Sequence, residues 1–243
     1  MLIEIWSDVV CPWCYIGKRR FEAALAQFPH ADQVEVRWRS FQLDPTAPRS
    51  AVDDPPGVTR RLADKYGLGI AEAEAMVDRV TQAAAGEGLE FHQENSRGRA
   101  TLDAHRLLHA ASADAQAGAD DRLQDQVKER FMRAYFTQGE RIDDRDVLAR
   151  LAVEAGMEPD RVASVLAGDE FADEVRADQA EAAAMGANGV PFFVADRRIG
   201  VSGAQPAAVF TQLLEQAWAS RTPVSVLAGS PDADACGPDG CAI

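Results

Sequence analysis

Cys11 and Cys14 flank Pro12 and Trp13, directly after the apolar run Leu2-Ile3-Glu4-Ile5-Trp6 and at the opening of a helical stretch. Strand, CxxC and then helix is the setting of a redox motif. A thiol at a helix N-terminus faces unpaired backbone N–H groups and the positive end of the helix dipole, which favours its thiolate. Cys11, at the exposed start of that helix, is the expected nucleophile. Cys14 lies one turn inward on the same side, within reach to close a short disulfide and release a trapped partner. A lone CxxC also serves as half of a zinc site. Pro12 suits the first helical turn, having no N–H to leave unpaired there, and Trp13 offers a large amphipathic face either to a substrate or to internal packing.

The elements that must position this pair are signalled mainly at the two ends of the chain. Strands are expected at 2–6 and, alternating apolar and polar, at 34–39, with a helical stretch at 15–28 between them. Pro45, Pro48, Pro55 and Pro56 make 43–57 a loop. Helices are expected over 58–66, 72–85, 102–113, 121–136, 144–155 and 170–185; in the fourth, Leu123, Val127, Phe131 and Tyr135 form an apolar stripe. Strand signals resume at 191–194, turn through 195–197 and return at 198–201, before a last helix at 206–218. The expected fold is α/β: a small domain built from residues 1–48 and 170–222, interrupted by an all-helical insertion at 49–169 that would wall a groove near Cys11.

Other residues invite a chemical role. Pro191 enters the late hairpin after Gly189-Val190, either as a cis proline exposing the Val190 backbone to an extended substrate or as a trans proline at a strand's first position. Its shape would hinder a metal from collecting both thiolates. Glu4, sharing a strand face with Trp6, is either solvent-facing or salt-bridged, or an acid that passes protons to Cys14. Lys18 and Arg19 read as a solvated helix face or, alternatively, as cations that attract anions or stabilise a thiolate; His105 and His109, four apart, read as structural imidazoles rather than a shared metal site, there being no HExxH; and Asn95 and Arg99 are weak groove candidates. No metal site is expected. Cys236 and Cys241 lie in a Gly-, Pro- and Asp-rich tail, 223–243, and are either a redox relay to Cys11 and Cys14 or part of a frayed end.

Composition bounds the partners. A net charge of −14 over 243 residues, with its basic groups interspersed among acids, argues against nucleic acid. No basic leader and no apolar run of membrane-spanning length is visible, so a cytoplasmic protein without membrane association is expected.

Ser7 to Lys18 around the CxxC, Phe41-Gln42-Leu43-Asp44-Pro45, Asp103-Ala104-His105-Arg106-Leu107 and Gly189 to Val194 together resemble the FrnE-like branch of the DsbA family, over roughly residues 1–220. The resemblance implies a thioredoxin fold carrying a helical insertion, with Cys11 attacking, Cys14 resolving and a cis Pro191 facing them. It places His105 along the groove between the domains, where it joins Trp13 and Val190 as a candidate substrate-side residue. No bound cofactor is implied beyond the redox-active disulfide, with glutathione or thioredoxin as electron partner, protein or small-molecule thiols and disulfides as substrates, and a homodimer left open. The cysteines are not separated by a histidine as in many periplasmic relatives, so strongly oxidising character is not expected. The alternative is an isomerase or glutathione-dependent enzyme acting on small aromatic compounds, similar to hydroxychromene-carboxylate isomerases and kappa glutathione transferases. Those relatives typically have serine in place of Cys11 and lack the second cysteine, so this pair favours redox exchange.

Overall fold

The structure is a computed structural model that describes residues 1–47 and 56–221. The middle of the proline-rich loop and the tail with Cys236 and Cys241 lie outside the described residues. Strand β1 (Leu2–Ser7) leads into helix α1 (Pro12–Ala26) and strand β2 (Glu35–Ser40), which pairs parallel with β1. Strand β3 (Phe192–Ala195) runs antiparallel to β1, and β4 (Ile199–Ser202) antiparallel to β3, giving the order β2-β1-β3-β4. Between β2 and β3 come α2 (Val58–Tyr66), α3 (Ile70–Gly86), α4 (Leu102–Gln116), α5 (Leu123–Phe136), α6 (Arg145–Glu154), α7 (Pro159–Ala167) and α8 (Ala172–Ala184); α9 (Ala207–Ala219) follows β4.

The two-residue period of the strands sorts their side chains into two cores. Ile3, Ile5, Trp38, Phe193 and Ala195 pack with Phe21 and Ala24 of α1 and with Phe210, Leu213 and Leu214 of α9. On the other face Trp6, Phe192 and Val194 pack with Ala182 of α8. A third core joins α4, α5, α6 and α7 and includes Cys11, Cys14, Tyr15 and Ile16. The N-terminal end of α1, with both its cysteines, therefore belongs to the helical layer, while its C-terminal half belongs to the sheet.

Glu4 is fully buried and salt-bridged: Arg39 Nε and Arg197 Nε each donate to its carboxylate at 2.8 Å. Burial works to raise its pKa, but the two guanidiniums outweigh it and hold the carboxyl below the usual range. The proton-passing role considered for Glu4 is thus not what its surroundings favour. Arg197 reaches it from a tight hairpin turn, closed by the Arg198 N–H on the Ala195 carbonyl at 2.9 Å, in which Asp196 (φ 45°) and Arg197 (φ 55°) adopt the left-handed conformation. Without glycine there, the turn is held by side chains: Asp196 Oδ1 accepts the Leu2 N–H at 2.8 Å.

The outer edge of β2 is closed by side chains rather than another strand. Gln124 of α5 accepts the Trp38 N–H and donates to the Trp38 carbonyl, both at 2.9 Å. Asp178 of α8 accepts the Ser40 N–H at 2.7 Å. Helix α1 begins at Pro12 with Cys11 as its N-cap, as the CxxC placement implies, whereas α7 was not expected, although Pro159 at its first position and the buried Val162, Val165 and Leu166 carry its signal.

Candidate active site

The loop after β1 delivers Cys11 as the N-cap of α1. Its sulfur accepts the Cys14 N–H at 3.3 Å, and the Tyr15 N–H bonds back to the Cys11 carbonyl at 3.3 Å. Pro12 then enters the helix at a position whose N–H would have no partner. Both cysteines are free thiols. Cys11 is 4% exposed and Cys14 wholly buried, so Cys11 is nearly covered rather than exposed as expected, yet it alone offers any surface to a partner. Burial pushes the Cys14 thiol well above the ordinary thiol range, and hydrogen bonding to Cys11 adds to the rise.

Opposite this pair, the Val190–Pro191 peptide bond is cis. The Cys11 thiol points to the Val190 carbonyl oxygen at 3.7 Å, and Gly203 donates its N–H to the Pro191 carbonyl at 2.8 Å, tying the loop to the end of β4. Trp13, between the two cysteines in sequence, is 40% exposed, leaving its ring available to a partner. Gly17 lets α1 approach the proline closely: a Cβ there would lie 3.1 Å from Pro191 Cγ and 3.5 Å from Ala204. Gly17→Val is therefore expected to push α1 and the proline loop apart, costing about 1–3 kcal/mol as an overpacked site and slowing disulfide exchange roughly tenfold, a loss of about 1.4 kcal/mol in transition-state binding. Urea unfolding midpoints and single-turnover exchange rates would check this; an unchanged rate would show that the close approach is not needed for reaction.

Beneath the thiols is a polar cluster. Asp8, nearly fully buried, accepts the Leu43 N–H at 2.8 Å and faces His105 Nε2 at 3.2 Å. Burial opposes the Asp8 charge, but the hydrogen bond from His105 leads the effects that hold its pKa below the ordinary value. Burial likewise lowers the His105 pKa, against the pull of Asp8. His105 has no exposed surface, which corrects the expectation that it contacts substrate: it braces the loop that carries Cys11. His109 bonds elsewhere, to Ser40 Oγ at 3.1 Å and Asp178 at 3.0 Å, so the two imidazoles share no ligand position. Asn95 is exposed and packs at Gly139, and Arg99 is buried 3.7 Å from Asp143.

Lys18 is also buried, not solvated. Its ammonium meets Glu22, Asp125 and Glu129, and although burial disfavours the charge, those carboxylates hold its pKa above the ordinary value. Arg19 pairs with Glu22 and Glu129, and Tyr15 Oη donates to Glu129 at 2.6 Å. Helix α5 thus locks against the back of α1. Sequence reasoning missed Asp8 and Lys128, both buried here; Asp8 stood next to the motif, but nothing in the local pattern of Lys128 marked it.

Among known proteins, a crystal structure of a probable DsbA oxidoreductase from Streptomyces coelicolor is 48% identical, with a TM-score of 0.86 over 100% of this chain and 99% of that one. Two others are alike in fold alone. Cytosolic disulfide reductase DsbM from Pseudomonas aeruginosa, with GSH, is 18% identical (TM-score 0.62, 90% of this chain and 100% of that one). A 2-hydroxychromene-2-carboxylate isomerase is 16% identical (TM-score 0.60, 90% and 95%). The uncharacterized protein YwbO of Bacillus subtilis (strain 168) is 27% identical over 164 residues, 64% of this chain; the match spans 66% of that relative, just under two thirds. The DSBA-like thioredoxin domain family matches residues 2–215, which contain both cysteines, the cis proline and the helices between the sheet's two halves. With this match over most of its length, the chain belongs to the DSBA-like thioredoxin domain family.

Proposed function

We propose that the protein is a thiol–disulfide oxidoreductase of FrnE-like type, acting in the cytoplasm on protein or small-molecule thiols and disulfides. Cys11 attacks a substrate disulfide and forms a mixed disulfide. Cys14 then attacks Cys11, the bond to the substrate sulfur breaks, and the Cys11–Cys14 disulfide forms. One substrate disulfide takes two electrons and ends as two thiols, and glutathione or thioredoxin returns the electrons. The observation that carries this reading is the placement of Cys11 at the α1 N-cap, with Cys14 one turn behind it and the cis Val190–Pro191 bond opposite. Trp13 and the Val190 backbone would hold the substrate's chain beside the sulfur. Among the described residues no helix is long and apolar enough to cross a membrane.

The isomerase reading draws on the same fold but gives Cys14 no task. To separate the two, reduced protein is mixed with glutathione disulfide, and with a disulfide-containing unfolded protein. The expected result is loss of two hydrogens per chain, located at Cys11–Cys14 by mass spectrometry, with release of two thiols per disulfide. Absence of exchange with either oxidant, together with isomerisation of a chromene carboxylate, would overturn the assignment.

A further inference from the structure

Two lysines lie buried near α1, and their surroundings differ. Lys18 is surrounded by three carboxylates. Lys128, on α5, has no exposed surface and, among the described residues, no carboxylate within ion-pair distance. Its Nζ lies 3.5 Å from the Ser7 carbonyl oxygen and 5.4 Å from the centroid of the Trp38 ring. An ammonium so placed has lost most of its hydration and recovers it from one carbonyl and one aromatic face, so its field is little screened.

The Ser7 carbonyl belongs to the same peptide unit as the Asp8 N–H, the backbone group that works to lower the Cys14 pKa. One peptide group therefore meets the lysine through its oxygen and, through its N–H, eases charge on the resolving thiol. A cation at the oxygen polarises the amide and strengthens its N–H as a donor. Charge on either cysteine in turn favours the protonated lysine, Cys14 more than Cys11. The other charged or titratable groups facing this region are accounted for. Asp8 is paired with His105 and the Leu43 N–H, Lys18 is saturated by its carboxylates, and Glu4 is clamped by Arg39 and Arg197 on the opposite face of the sheet.

We propose that Lys128 is a positioning residue for the resolving step: its positive charge, acting through space and through the Ser7–Asp8 peptide, stabilises the Cys14 thiolate that attacks the mixed disulfide at Cys11. The step itself conserves atoms and electrons. Cys14 releases its proton to solvent, its thiolate forms the bond to Cys11, and the substrate sulfur leaves as a thiolate that takes up a proton. Lys128 is charged throughout and transfers nothing. Its lowered pKa, about 8 and due chiefly to burial, places the loss of this assistance just above neutral pH. The helical layer, which closes over the sheet, thereby tunes the chemistry of the thioredoxin-like part.

The inference rests on the exchange reading, and its test is separable from it. In full-length protein carrying Cys236→Ser and Cys241→Ser, so that only the α1 thiols report, Cys11 attacks 5,5′-dithiobis(2-nitrobenzoate), releasing one thionitrobenzoate and holding the other as a mixed disulfide, whose release by Cys14 is followed across pH. Lys128→Met is expected to slow release at least tenfold at pH 7 and to move the pH midpoint of release upward by a unit or more, while formation of the mixed disulfide changes less than threefold. Lys128→Arg, which keeps the charge but cannot act as a base, should restore the rate to within threefold. An unmoved midpoint in Lys128→Met, or an arginine variant as slow as the methionine one, overturns the proposal. Should either variant fail to fold, the ε-carbon resonance of Lys128 is titrated in the unsubstituted protein. A higher midpoint in the dithiol than in the disulfide form is expected from reciprocal linkage, and equal midpoints overturn it. That titration requires no substrate, so it can fail or succeed independently of whether the protein exchanges disulfides.

Discussion

Cys11→Ser is expected to abolish disulfide reduction, with turnover falling by at least roughly a thousandfold because the attacking atom is removed rather than detuned. Cys14→Ser should behave differently. It leaves Cys11 at the helix N-cap with its small accessible surface, so attack persists and the mixed disulfide accumulates. Acid-quenched protein analysed by mass spectrometry should then carry one substrate thiol on Cys11, removable by dithiothreitol. Wild-type turnover in Cys14→Ser would mean that another thiol resolves the intermediate, which would direct attention to Cys236 and Cys241. Equal loss in both variants, with no trapped species, would argue against sequential attack and resolution.

Lys128→Met is expected to stabilise the fold at pH 7 while slowing the reaction. The ordinary lysine pKa of 10.5 is lowered to about 8 in the folded protein, with burial as the largest cause. Between those values the unfolded chain binds a proton that the folded protein does not, so stability rises with pH across that window. Below about pH 8 the penalty is present in full, on the order of 3 kcal/mol at 1.36 kcal/mol per pH unit. Methionine carries no charge and keeps much of the volume, so the variant should gain about 2–3 kcal/mol at pH 7. The gain should shrink towards pH 10. Urea unfolding at pH 7 and pH 9.5, with unchanged m-values, measures it directly. A variant less stable than wild type at pH 7 would mean that Lys128's attraction to Asp8 outweighs its desolvation. A gain in stability joined to a loss in rate is the pattern of a residue retained for activity.

The buried positions of α5 show where sequence reading stops. Leu123, Val127, Phe131 and Tyr135 repeat at four-residue spacing, and all are buried, as their period implies. The same helix also buries Gln124 and Lys128, and turns Asp125 and Glu129 towards Lys18. Hydropathy periodicity assigns such residues to solvent. They are covered because α5 lies between the helical core on one side and α1 with the open edge of β2 on the other. A helix with two packed faces uses polar side chains to satisfy an edge strand and to pair with buried charges. Glu4 and Lys18 follow the same logic, since their partners Arg197 and Asp125 lie far away in sequence.

The sequence by itself determined where the CxxC pair sits, because a CxxC between a strand and a helix places one thiol at the helix N-terminus through local backbone geometry alone. It also determined the sheet, whose alternating strands at both ends of the chain specify which faces are buried. Only the tertiary structure decided what surrounds the thiols. The cis Val190–Pro191 bond facing them is what the family resemblance implies, whereas the Asp8–His105 brace and Lys128 behind the Ser7–Asp8 peptide join residues separated by as many as 121 positions along the chain. Burial and electrostatic coupling of this kind depend on distances through space, and local residue patterns do not encode them.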